Sequence, residues 1–98
     1  MAVGMVYLFK NIGQKEYSAV SARLNTLPDG SGDWPAGQVS HSAGPSDGGG
    51  LVVTEVWESR EAQGKFMQER LGPALAAEGV TDVPTITWYT VVGTYPAR

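Results

Sequence analysis

The chain has more apolar strand surface than it has helix to cover it. In the segment 3–9 nearly every residue is apolar, so Met5, Tyr7 and Phe9 fall on one side of an extended strand and Val6 and Leu8 on the other. The segment 51–57 repeats the pattern, with Leu51, Val53 and Trp57 against Val52 and Val56, and 85–92 sets Ile86 and Trp88 against Tyr89 and Val91. Strands that are apolar on both faces need cover on both.

The remaining segments supply cover for one face only. From Gln14 to Leu27, Tyr17, Val20, Leu24 and Leu27 form a stripe down one side of a helix, with Lys15, Glu16 and Arg23 elsewhere, and Pro28-Asp29-Gly30 ends it. Residues 28–37 are dense in turn formers, with Trp34 as their one large apolar side chain. Gln38 to Ala43 alternates Val39, His41 and Ala43 with polar residues, as expected of an edge strand with one wet face. Gly44 to Gly50 reads as a hairpin turn, since it lacks the lysine and hydroxyl pair of a phosphate-binding loop and precedes a strand. Ser59 is placed to cap a second helix whose apolar contacts are Phe66, Met67, Leu71 and Leu75. Gly72-Pro73 is expected to break or kink that helix, and Gly79 to close its continuation.

Strand, helix, strand, strand, helix, strand is the split βαβ order. The expected fold is α+β and ferredoxin-like, a four-stranded antiparallel sheet with two helices on one face and with the first and third strands central. The bare apolar face then calls for a second copy of the chain related by a two-fold axis, a homodimer packed sheet to sheet.

At 98 residues there is room for one domain with one core. The absence of cysteine removes disulfides and thiolate sites and fits a reducing cytoplasm. The start lacks a basic leader and a cleavage pattern, and no run approaches the roughly 18 apolar residues of a membrane span. A net charge of −3 with scattered basic residues argues against nucleic-acid binding.

The stretch VVTEVWESREAQGKFMQERLGPALAAEGV (52–80) and the following WYTVVG (88–93) resemble the dimeric α+β barrel superfamily, in its antibiotic biosynthesis monooxygenase-like branch. The shared pattern is a strand ending in Trp57, a hydroxyl cap, and a helix with an aromatic residue, Phe66, nine positions after that Trp. The resemblance implies a barrel closed by two sheets in a dimer, with a cleft in each subunit, between its sheet and helices, for a small aromatic ligand. It implies cofactor-free oxygenase chemistry, or a non-catalytic ligand-binding or interaction module on the same fold. The haem-degrading pattern within the superfamily is not matched: the first strand has no Asn and the second helix no His.

His41 is the only histidine, so a metal site built on imidazoles is not expected, and neither a metal nor a cofactor is assigned. A simple hairpin over Gly44–Gly50 pairs His41 with Val53 and Val39 with Glu55. His41 and Glu55 become diagonal neighbours about 7–8 Å apart at the backbone. That arrangement suits proton abstraction, with His41 as base and Glu55 orienting its ring. Tyr7, Trp34, Trp57, Phe66 and Trp88 are the candidate aromatic walls of the cleft, Trp34 as a lid. The charges of Arg60, Glu61, Lys65, Glu69 and Arg70 read as a solvated helix face.

Overall fold

The apolar alternation of the strands sets the sheet. A computed structural model describes residues 2–95. Its elements run β1 (Val3–Phe9), α1 (Gln14–Leu24), β2 (Gln38–Pro45), β3 (Leu51–Trp57), α2 (Arg60–Phe66), a π-helical turn (Met67–Leu71), α3 (Gly72–Ala77) and β4 (Thr85–Thr90). The antiparallel sheet has the order β2-β3-β1-β4, so the two most apolar strands are central. This is the ferredoxin-like βαββαβ arrangement.

The face under the helices carries the core: Met5, Tyr7 and Phe9 from β1, Leu51, Val53 and Trp57 from β3, and Phe66 from α2. Trp57 and Met5 are the most deeply buried, at 0% and 1% exposed, and full burial of a side chain of this size stabilises by about 1.5–3 kcal/mol. On the other face Val6 and Leu8 lie beside Val52 and Val56, and Tyr89 covers Gly4 from β4. A Cβ at Gly4 would fall within the Tyr89 ring, so this close approach needs glycine.

Four expectations change. First, α1 stops at Leu24 rather than Leu27, because Asn25 adopts the left-handed conformation (φ 59°) and caps it through its N–H to the Ala22 carbonyl. Leu27 is left outside the helical stripe and 39% exposed. Second, β2 continues to Pro45 and β4 ends at Thr90. Third, the hairpin loop is therefore Ser46–Gly50, and the register moves by two residues: His41 pairs directly with Glu55 and Ala43 with Val53, with a bulge between Gln38 and Ser40. Fourth, Gly72-Pro73 does not break the helix. The N–H of Gly72 reaches back five residues to the Met67 carbonyl, a π turn that carries the chain past a proline with no N–H to give. A Cβ at Gly72 would stand 2.9 Å from that carbonyl oxygen.

The hairpin offers a direct test. Gly50 has φ +82°, and a Cβ there would overlap the Phe9 carbonyl, whereas a Cβ at Gly48 meets nothing closer than 3.9 Å. Gly50→Ala is expected to cost at least about 2 kcal/mol, and Gly48→Ala to stay within about 0.5 kcal/mol of the parent, as read from urea denaturation midpoints.

Candidate functional site

The site grows from a buried carboxylate. Alternation along β3 turns Glu55 to the helix side together with Val53 and Trp57, where it is only 4% exposed. A carboxylate in such a place is strongly disfavoured unless donors meet it. Two do: the Trp57 indole N–H donates to Oε1 at 2.9 Å, and His41 Nδ1 lies 3.0 Å from Oε2. Because a carboxylate only accepts, the imidazole proton sits on Nδ1 and the lone pair on Nε2. That lone pair receives the Tyr17 hydroxyl at 2.6 Å. The result is one continuous chain, Tyr17 to His41 to Glu55 to Trp57, contributed by α1, β2 and β3.

A second tyrosine stands beside this chain. Tyr7 accepts a bond of 2.9 Å from the buried Gln63 amide, which comes from α2. Burial, then the nearby Glu55 charge, push the Tyr7 phenol well above its ordinary range, against a smaller lowering by Gln63. Tyr17 is raised as well, by burial first and by Glu55 to a lesser degree, with Ser21 opposing. Both remain neutral donors across the physiological range.

Tyr17, His41 and Glu55 of this chain line a cavity of about 280 Å³ between sheet and helices. Most of the remaining wall is apolar, including Phe9, Val20, Leu51, Phe66, Met67 and Leu71, and Glu16 and Asp82 also line it. The π turn contributes twice: Met67 and Leu71 face the cavity, and Arg70 bonds the carbonyls of Leu24 and Asp33 at 2.9 and 2.8 Å. Arg70 thereby holds the 26–37 connection, whose Trp34 packs on His41 with ring centroids 5.0 Å apart and donates its indole N–H to the Ser31 carbonyl. Asp82, also in the cavity wall, accepts from the backbone and side chain of Asn11, which joins the connection after β1 to the one before β4.

His41, Glu55, Tyr7, Trp34 and Phe66 thus line a single cavity. Trp57 and Trp88 do not: Trp57 lies in the core beneath Glu55, and Trp88 packs under the Arg60 guanidinium at 4.4 Å. Arg60 and Arg70 are accordingly more than solvated charges. Tyr17 and Gln63 are the residues that sequence reasoning missed. Tyr17 appeared as one member of an apolar stripe, although the hydroxyl of a tyrosine facing inward has to find a partner. Among the described residues no group of three His, Cys, Asp or Glu side chains could hold a metal ion, and no helix is long and apolar enough to cross a membrane.

No protein-family model and no curated protein matches the sequence. Solved structures do match. SnoaB, a cofactor-independent oxygenase from Streptomyces nogalater, superposes with a TM-score of 0.62 at 17% identity over 98% of this chain and 97% of its own. A candidate antibiotic biosynthesis monooxygenase from Chloroflexus aurantiacus gives 0.67 at 13% identity over 97% of each chain. This is the fold of the antibiotic biosynthesis monooxygenase-like proteins. A hydroxynitrile lyase from Passiflora edulis shares it as well, with a TM-score of 0.56 at 15% identity over 97% of this chain and 96% of its own, so the monooxygenase-like fold does not by itself name a reaction.

The raised tyrosines fix the sign of the alkaline response. Their neutral forms are favoured in the folded state, so this contribution is complete below the unfolded phenol value of about 10 and is lost as pH rises from there through the folded values. Urea midpoints measured upward from about pH 9 should fall above pH 10, and Tyr7→Phe should flatten that fall.

Proposed function

We propose that this protein is a small-molecule enzyme that oxygenates a flat, apolar aromatic substrate of the anthrone or hydroquinone kind without a cofactor, starting from proton abstraction by His41. The observation that supports this reading is a Tyr17–His41–Glu55 chain in the wall of a mainly apolar cavity. The cavity volume is close to the lower end of small-ligand sites, about 300–1,000 Å³, which suits about two or three fused rings.

For an anthrone the step balances without an added reductant. His41 Nε2 takes one proton from the ring CH2, and Glu55 holds the imidazolium that forms. Tyr17, a donor at neutral pH, leaves Nε2 and turns to the oxyanion. The carbanion passes an electron to O2, and the two radicals combine to a peroxide that His41 reprotonates. Loss of the second C–H proton with cleavage of the O–O bond leaves a carbonyl and water, so CH2 and O2 become C=O and H2O. Trp34, Phe66 and Tyr7 bound the aromatic plane, and Trp57 acts through Glu55 as a positioning residue.

The same reading includes a homodimer through the open sheet face. Val6, Leu8, Val52, Val56 and Tyr89 form an apolar centre there that the helices do not reach, and a second copy is the partner that symmetry supplies most simply.

Oxygen-electrode traces with anthrone and dithranol should show uptake matched by quinone formation. His41→Ala should lower kcat/KM by about 10²-fold or more, and Glu55→Gln and Tyr17→Phe should also lower it while near-ultraviolet circular dichroism stays unchanged. A folded parent protein that consumes no oxygen with any of these substrates would sink the proposal. Sedimentation should give twice the 10.4 kDa chain mass, and Val56→Arg should return it to one; a parent chain that sediments as a monomer would refute the dimer.

A further inference from the structure

The Tyr17 hydroxyl and His41 Nε2 lie 2.6 Å apart, and both residues line the cavity. Nε2 carries the lone pair, because Nδ1 gives its proton to Glu55. Tyr17 is held neutral by burial first and then by the Glu55 charge. A base and a neutral donor therefore meet at one point of the wall. The atoms they suit in a substrate are equally close together: an acidic carbon and an oxygen two bonds away, the α-carbon and carbonyl oxygen of a ketone.

The charge of the wall narrows the class. Glu16, Glu55 and Asp82 line the cavity, and among the described residues no Lys or Arg does. A ketone that carries its own carboxylate, such as an α-keto acid, would be repelled and would find no cation to balance it. The rest of the lining is mainly aliphatic and aromatic, which favours an uncharged ketone fused to an aromatic ring. Tyr17 and His41 also border an open groove between α1 and β2 that includes Ser18, Ser40 and Ser42. The His41 side chain keeps 16% of its surface exposed, so a proton held on the pair exchanges with water.

We infer that this pair also catalyses keto–enol tautomerisation of an uncharged, aryl-fused ketone, with no need of oxygen. The activity shares with the proposed function His41 as base, and rests on that part of the reading alone. Nε2 takes a proton from the α-carbon, the C–H electron pair becomes the C=C bond, and the carbonyl π pair moves to the oxygen, which Tyr17 meets as donor. Tyr17 passes its proton to that oxygen as Nε2 returns one to Tyr17. Ketone becomes enol, the pair ends as it began, and nothing is oxidised or reduced. The reverse sequence delivers a solvent-derived proton to carbon.

Proton nuclear magnetic resonance of 2-tetralone in D2O, with oxygen removed, tests the activity apart from oxygenation. The parent protein should speed loss of the benzylic α-proton signal at least about tenfold over buffer, whereas phenylpyruvate, an anionic ketone, should exchange no faster than in buffer. His41→Ala should return 2-tetralone to the buffer rate, and Tyr17→Phe should lower the protein-dependent kcat by about 10²-fold, or to the buffer rate, with KM little changed. Isothermal titration calorimetry reads the same pair without turnover. 2-Naphthol, a stable planar analogue of the tetralone enol, should bind the parent at least about tenfold more tightly than 2-tetralone, and Tyr17→Phe should erase that difference. Exchange at the buffer rate with the folded parent protein would overturn the tautomerase, whatever the oxygen traces show. Exchange without oxygen uptake on anthrone or dithranol would support the tautomerase and overturn the oxygenase. Accelerated exchange of phenylpyruvate would overturn the restriction to uncharged ketones.

Discussion

A carboxylate placed under helices obliges the structure around it to supply donors. Glu55 is oriented by the register of β3, and Trp57, two residues along on the same face, satisfies one of its oxygens. The other oxygen takes the Nδ1 proton of His41, which fixes the tautomer and leaves Nε2 for Tyr17. Tyr7 and Tyr17 are then held neutral by burial and by the same buried charge. A desolvated charge adds little to stability even when paired. Perturbed titratable groups gathered in a cleft mark a candidate functional site.

The fold was legible because its signals are periodic. Alternation in β1 and β3 marks them as central, and the Ser59 cap and the Gly79 closure bracket the second helical region as expected. What could not be read lies where one residue's conformation depends on a distant contact. Asn25 ends α1 because it tolerates a left-handed backbone, a property that a hydrophobic stripe does not record. The π turn at Met67–Leu71 is a compromise between helix continuity and Pro73, and it brings Arg70 to a connection far away in sequence.

The site was legible in its ingredients and less so in its geometry. The lone histidine and Glu55 stand out by type, and the sheet pairs them directly instead of diagonally. The aromatic residues divide by role in a way that composition cannot show: Trp34 meets His41, Trp57 serves Glu55, and Trp88 sits under Arg60. Tyr17 escaped notice because its ring satisfies the helix pattern while its hydroxyl satisfies the histidine. Structures that share this fold at 13–17% identity include oxygenase and lyase descriptions, so the chemistry has to be argued from these side chains.

The hairpin that joins β2 to β3 has one further consequence. With Pro45 opposite Leu51, it alone determines how many residues separate His41 from Glu55 along the ladder. Side chains on a strand alternate, so the loop acts as a parity bit: an odd change in its length, taken up by β2, would turn the imidazole outward and leave Glu55 with one donor fewer. Length polymorphism in this surface turn would thus decide whether a chain of this shape keeps its His41–Glu55 pair at all.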